Sequence, residues 1–176
     1  MQVILDDNEY SDIWHTIYQD FHFYPTTNID AVPFRLPGEY AVFRLNRVWD
    51  DRQEQLVREI MLRMYGDCEL YALDWQHDCF TYRPGEQIPI RYHYYDGGRD
   101  YNVYFPTYYP DGDYHFFLDK TLSSGLLGHP WQKKLYVLSG PLIDIVKEYA
   151  AALDLQKIEE CRKRWWSRFI PGTRGK

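Results

Sequence analysis

The chain has 176 residues, of which 18% are aromatic, and its 20 basic and 26 acidic residues give a formal net charge of −6. This length fits a single domain that buries about 70% of the unfolded surface, and the acidic balance argues against nucleic acid as the main ligand. No apolar run approaches the roughly 20 residues of a membrane span, and the first residues lack the basic and apolar regions of a signal peptide.

The cysteines and glycines limit the compartment and the chemistry. Cys68, Cys79 and Cys161 have neither the spacing of a metal motif nor that of a disulfide framework. No glycine-rich phosphate loop and no nucleophile elbow is present. We therefore expect a cytoplasmic protein in a reducing compartment, without an organic cofactor and without a transmembrane segment.

The first half of the chain predicts two helices and three strands. Apolar residues from Tyr10 to Phe21 recur at helical spacing, with Asn8 as the expected cap. A strand is predicted over Tyr40–Leu45. A second helix opens on Asp50 and Gln53, which are spaced as a capping box, and it ends at Gly66. Strands over residues 70–75 and 79–82 follow.

The second half predicts short strands and a third helix. Residues 84–113 are rich in turn-forming Pro and Gly, and residues 101–105 form the clearest strand there. Residues 114–118 and 135–138 are predicted as a strand pair joined by a long connection. A helix begins at Pro141.

The order of these elements predicts the fold class. Clustered strands without regular helical crossovers favour an α+β fold with a mostly antiparallel sheet and about three helices on one face. We expect a single two-layer domain over residues 1–156. Residues 157–176 are predicted to form a basic helical extension and tail that contains Trp165 and Trp166.

Charge is divided unevenly between these two parts. Residues 157–176 contain seven Lys or Arg and two Glu, a charge of +5, whereas the other residues contain 13 basic and 24 acidic groups, a charge of −11. An acidic body suits a cationic partner and is also what solubility alone requires. The mixture of cations and rings in residues 161–169 suits contact with an anionic membrane surface, although packing of a tryptophan on the domain explains it as well.

Tyrosine is concentrated where the turns are. Tyr combines contact area with low entropic cost and is favoured at interfaces. The leading hypothesis is a non-catalytic binding protein that engages a macromolecular partner through an acidic, Tyr-rich surface. An immunity or antitoxin-type inhibitor of a cationic protein would be of this kind. The predicted contact residues are Tyr92, Tyr94, Tyr95, Tyr101, Tyr108, Tyr109, Asp111 and His129.

Acidic residues and histidines suggest the alternative, a metal-dependent or acid–base hydrolase. Asp111, Asp113 and His115 alternate, so a strand beginning at Asp111 would place them on one face as metal ligands. Asp74 and His77 form a separate pair, suited to an oriented general base. Ordinary turn roles account for both groups equally well.

Three motifs carry a resemblance to a known family. Residues 72–77 (ALDWQH), 110–114 (PDGDY) and 127–131 (LGHPW) occur in this order. Over roughly residues 70–153 the chain resembles a bacterial family known as domain of unknown function 2716. The resemblance implies no activity and no catalytic residue. In its general features, a small acidic α+β protein with a late hairpin and helix, the chain is also similar to bacterial toxin-immunity proteins.

Overall fold

The computed structural model describes residues 1–162, which contain three helices and ten strands. The helices are α1 (Asp7–Asp20), α2 (Asp51–Tyr65) and α3 (Gly140–Tyr149). The strands are β1 (Gln2–Val3), β2 (Tyr40–Leu45), β3 (Leu70–Asp74), β4 (Phe80–Tyr82), β5 (His93–Asp96), β6 (Tyr101–Tyr104), β7 (His115–Asp119), β8 (Gly125–His129), β9 (Lys134–Leu138) and β10 (Leu155–Cys161).

Eight of the strands form one open sheet in the order β1-β4-β3-β7-β8-β9-β2-β10, and β5 pairs with β6 in a separate hairpin. Every pairing is antiparallel. The predicted α+β class, with three helices and an antiparallel sheet, is therefore confirmed.

The helices cover both faces of the sheet rather than one. Neighbouring residues of β2 belong to different cores: Phe43 packs in the cluster that contains α2 and α3, whereas Val42 packs in the cluster that contains α1. Because successive side chains of a strand point to opposite faces, α1 lies on the opposite side from α2 and α3. The expected two-layer arrangement thus becomes helices on either side of a central sheet.

Helix termini follow the expected chemistry. The side chain of Asp50 accepts hydrogen bonds from the first turn of α2, and Oε1 of Gln53 accepts one from the backbone N–H of Asp50, which confirms the predicted capping box. The cap of α1 is Asp6, not Asn8, since the Asp6 carboxylate accepts from the backbone N–H groups of Asn8 and Glu9. The helix therefore begins two residues earlier than its apolar stripe indicated.

Strand β8 lies where a long connection between two strands was predicted. Two glycines in a five-residue strand weaken its propensity for β structure. Gly125 has a φ of +151°, and a Cβ atom there would lie 2.0 Å from the carbonyl oxygen of Phe117. The sheet therefore requires glycine at the position where propensity argues against a strand.

The helical extension predicted over residues 157–176 begins as a strand in the structure. Residues 155–161 form β10, which pairs with β2 at one edge of the sheet, so residues 157–161 are strand rather than helix and belong to the domain. The remainder of the extension, with Trp165 and Trp166 and most of the proposed membrane-contact segment 161–169, lies outside the described residues. Within residues 1–162, no helix is both long and apolar enough to cross a membrane.

Candidate functional site

Strands β3 and β7 bring together four side chains from two distant parts of the sequence. The strands are antiparallel neighbours, and the last residue of β3, Asp74, lies opposite the first residue of β7, His115. A residue just after β3 must therefore lie near a residue just before β7. These positions are occupied by His77, in the turn that follows β3, and by Asp113.

Three of these residues form a compact carboxylate–imidazole group. The Nδ1 atom of His77 lies 2.9 Å from Oδ1 of Asp74 and 3.8 Å from Oδ2 of Asp113. One potential ligand atom from each residue lies within 4.8 Å of the other two. We call Asp74, His77, Asp113 and the adjacent His115 the DHDH cluster.

His115 joins the cluster through its second ring nitrogen. Its Nδ1 lies 2.8 Å from the carbonyl oxygen of Thr107 and 3.1 Å from that of Tyr109. Carbonyl oxygens only accept hydrogen bonds, so Nδ1 carries a proton, and the tautomer that this fixes has its lone pair on Nε2. This Nε2 atom lies 3.6 Å from Oδ2 of Asp74.

The two carboxylates of the cluster are buried, and few hydrogen bonds replace the hydration that they lose. Asp74 is 7% and Asp113 4% exposed. Oδ1 of Asp113 accepts a 2.7 Å hydrogen bond from the backbone N–H of Tyr114, but Oδ2 is buried without a hydrogen-bond partner. Burial raises the pKa of Asp113, since the charged form loses its hydration.

The basic groups that face these carboxylates are imidazoles. Within residues 1–162, Asp74 and Asp113 approach basic side chains only at His77 and His115, and the neighbouring Arg99 is paired with Asp78 and Asp96 instead. The hydrogen bond to Asp74 raises the pKa of His77. The cluster therefore favours a bound proton or another cation.

The spacing of the cluster also fits a divalent metal ion. Bonds of about 2.0–2.4 Å place neighbouring ligand atoms roughly 3–4 Å apart around one ion, and the separations of 2.9 and 3.8 Å around His77 lie near that range. Two carboxylates with one or two imidazoles are ligands that Zn²⁺, Mn²⁺ and Fe²⁺ accept. His77 is 61% exposed on its side chain, so the group can be reached from solvent.

Asp111 does not join the predicted metal group. It is exposed, because β7 begins at His115 and the chain before it is irregular. The alternation that would have aligned Asp111 with Asp113 therefore never forms. The structure joins Asp113 and His115 to Asp74 and His77 instead, and so merges the two groups that the sequence suggested separately.

His129 is also placed differently from the prediction, since it is fully buried and cannot contact a partner there. It lies beside Tyr114 in the core on the α1 face, with Nε2 3.2 Å from the Tyr114 hydroxyl. Burial lowers the pKa of His129 to about 4. It is a neutral structural histidine on the opposite face of the sheet from the DHDH cluster.

The predicted tyrosine surface is only partly at the surface. Tyr108 and Tyr109 are buried, and the Tyr108 ring lies 4.3 Å from that of Phe117, so neither is available to a partner. Tyr92 and Tyr94 are half-buried against the same core. The rings that remain exposed in this stretch of the chain are those of Tyr95, Tyr101 and Tyr104.

A cavity adjoins the exposed side of His77. Its volume is about 520 Å³, and its walls include Tyr10, Gln76, Tyr101 and Tyr104. Arg99 fixes one wall by bridging Asp78 and the β5–β6 hairpin. The cluster therefore borders a space large enough for a small organic molecule.

The fold and the cluster define an α+β domain with a carboxylate–histidine site at one end of an antiparallel sheet. Residues 4–143 match the model of the family described as protein of unknown function (DUF2716), and the chain belongs to this family. The resemblance inferred from the three motifs is thus confirmed, and all four residues of the DHDH cluster lie within the matched range.

One similar protein is described as uncharacterized protein YxiI of Bacillus subtilis (strain 168). It is 29% identical over 99 residues, which are 56% of this chain and 56% of that protein. The chain thus spans about half the length of the curated relative it matches. No solved structure matches the chain.

Proposed function

We propose that the protein is a hydrolase whose chemistry is carried by the DHDH cluster and a divalent cation. The observation that carries this proposal is Oδ2 of Asp113, a buried carboxylate oxygen that faces His77 without a hydrogen-bond partner. Such an oxygen costs about 1–3 kcal/mol or more unless a partner compensates it. A cation shared with Asp74 supplies that partner.

Each residue has a distinct part in this proposal. Asp74 and Asp113 supply the negative charge, and His77 supplies an imidazole ligand at the solvent side. A divalent ion in such a site lowers the pKa of bound water and polarises a substrate oxygen. His115, with its free Nε2 lone pair near Asp74, can complete the ligand set or accept a proton from water.

The cavity beside His77 supports access for a substrate. His77 is its boundary with the cluster, and the rings of Tyr10, Tyr101 and Tyr104 give it flat walls. Aromatic walls with a few polar groups are typical of small-molecule sites. The cavity has no preference for anionic substrates on account of Arg99, because this nearby guanidinium is already paired with Asp78 and Asp96.

Asp113→Asn is expected to weaken the binding of Zn²⁺ or Mn²⁺ by at least about 100-fold, because an amide replaces a charged ligand. The same substitution removes a buried charge with an unpartnered oxygen, so the cation-free protein should become more stable, not less. Calorimetric titration with each ion, together with thermal unfolding of the metal-free protein, measures both effects.

The matched control is Asp111→Asn, which makes the same chemical change at an exposed position two residues away. Its cation affinity and melting temperature should equal those of the unchanged protein. Equal affinities for the Asp113 variant and this control, or no uptake of any ion by the unchanged protein, would remove the metal-dependent hydrolase from consideration.

A second candidate function is binding of a cationic protein through the β5–β6 hairpin, in the role of an immunity or antitoxin-type inhibitor. It is supported by three exposed rings on one hairpin, Tyr95, Tyr101 and Tyr104, and by the charge of −11 outside residues 157–176. Electrostatic steering makes such association faster at low salt.

Combined replacement of Tyr95 and Tyr104 by serine is expected to abolish retention of a basic partner from the native host, while the melting temperature is unchanged because both rings are exposed. Tyr24→Ser is the control, since this ring is exposed away from the hairpin. Affinity capture at low and high salt, followed by mass spectrometry, measures the effect. Retention that is independent of both salt and the hairpin rings would contradict the proposal.

A further inference from the structure

Glu54 of α2 is a buried carboxylate that is bound to the backbone of a distant segment. It is 4% exposed. Its Oε2 accepts a 2.9 Å hydrogen bond from the N–H of Tyr108, and its Oε1 accepts a 2.8 Å bond from the N–H of Tyr109. Both oxygens are thereby engaged by adjacent peptide groups, which fixes the orientation of this stretch of backbone.

The same stretch of backbone holds His115. The carbonyl oxygens of Thr107 and Tyr109 accept from its Nδ1, and the hydroxyl of Thr107 donates a 2.7 Å hydrogen bond to the Tyr109 carbonyl. Residues 107–109 thus present N–H groups toward Glu54 and carbonyl groups toward His115. The Thr107–Tyr108 peptide takes part in both sets, because it carries the N–H group bound by Glu54 and the Thr107 carbonyl bound by His115, so its rotation would disturb both contacts.

We propose that Glu54 is a positioning residue for the DHDH cluster, acting on His115 through the backbone of residues 107–109. Glu54 holds the Thr107–Tyr108 and Tyr108–Tyr109 peptides. The Thr107 carbonyl of the first peptide and the Tyr109 carbonyl that follows the second keep the proton of His115 on Nδ1, and the Nε2 lone pair is consequently directed at Asp74. Partners of this kind orient metal-ligating histidines by fixing the tautomer and the ring plane. This inference rests on the proposed function for its effect on cation binding, but not for its effect on His115.

A carboxylate is the side chain best suited to this role. Two adjacent N–H groups require two acceptors, and a carboxylate is the one short side-chain group that provides two without a donor. Glutamine at position 54 would retain one acceptor and set its NH₂ group against the second N–H. Alanine would leave both N–H groups buried without a partner.

The test compares Glu54→Gln and Glu54→Ala with the unchanged protein by two measurements. Nitrogen–proton correlation NMR of the His115 ring, assigned by its loss in His115→Gln, reports which ring nitrogen carries the proton. Titration calorimetry with Zn²⁺ reports affinity. We expect His115 to be protonated on Nδ1 in the unchanged protein and to become a mixture of tautomers in the variants, with affinity about 10- to 100-fold weaker.

Glu59→Gln is the matched control, because Glu59 lies one and a half turns along the same helix and is exposed. It should leave both readouts unchanged. If Glu54→Ala fails to fold, Glu54→Gln alone decides. An unchanged His115 tautomer in a folded Glu54 variant would overturn the positioning role. Absence of Zn²⁺ binding by the unchanged protein, with an altered tautomer in the variants, would reject the proposed function while retaining the role of Glu54.

Discussion

Gly125→Ala is expected to lower the free energy of unfolding by more than about 3 kcal/mol, the upper end of the usual cost of overpacking. A Cβ atom at this position would lie 2.0 Å from the carbonyl oxygen of Phe117 and 2.9 Å from Cα of Leu118. Both are backbone atoms of the neighbouring strand β7, so no side-chain rotation relieves the clash. The φ of +151° is in addition a value that alanine rarely adopts.

Urea denaturation followed by circular dichroism measures this effect. Gly97→Ala is the appropriate control, because the nearest atom to a Cβ there is a ring carbon of Tyr95 at 4.0 Å. We expect its midpoint to stay within the range of ordinary surface substitutions. A midpoint of Gly125→Ala equal to that of the control would show that β7 and β8 are not paired in the register described.

The stability of the protein should fall between pH 5 and pH 8, with Glu54 contributing about 3 kcal/mol of the change. Burial raises the pKa of Glu54 from 4.5 to about 7. The folded state therefore holds this proton more tightly than the unfolded state. The stabilisation is complete below pH 4.5 and is lost as the pH rises toward 7.

Comparison with Glu54→Gln isolates this contribution, since an amide does not titrate and the other ionisable groups are common to both proteins. Free energies of unfolding at pH 5 and pH 8 should differ by about 3 kcal/mol less in the variant than in the unchanged protein. The exposed control Glu59→Gln should follow the unchanged protein. Identical pH dependence in all three proteins would contradict burial of an ionisable Glu54.

Local elements could be predicted from the sequence because their determinants are local. Asp50 and Gln53 specify the start of α2 through contacts three residues apart, and the apolar run of β2 specifies a strand within six residues. Strand β8 was missed because its glycines are explained by tertiary contacts, Gly125 by the backbone of β7 and Gly128 by the side chain of Pro110. Strand β10 was missed because its exposed, charged residues are those of an edge strand, a pattern also typical of a solvated helix.

In the candidate site, too, the individual residues could be predicted from the sequence, whereas their arrangement could not. Asp74, His77, Asp113 and His115 were each identified from residue type and neighbours, but in two separate groups. Joining them requires the register of β3 on β7, which no spacing within either segment encodes. Tyr108, Tyr109 and His129 were placed on the surface in error, since composition identifies rings and imidazoles without identifying the face on which each lies.

The placement of helices on both faces could have been recognised from β2 and β3. All five residues of β3 are buried, and a continuous apolar run is typical of a strand covered on both sides. The antiparallel order of the strands indicates the opposite, because antiparallel sheets often leave one face in water. In this chain the continuous run was the more informative feature.

The sheet order determines when strand β2 can pair with its neighbours during synthesis on the ribosome. Strand β2 (Tyr40–Leu45) is synthesised well before its neighbours on both sides, β9 (Lys134–Leu138) and β10 (Leu155–Cys161). At roughly 5–20 residues per second, β2 waits on the order of 5 to 20 s for β10 to emerge. One backbone edge of β2 stays unpaired until β9 follows and the other until β10 follows, so the sheet cannot be completed before residue 161 has been synthesised.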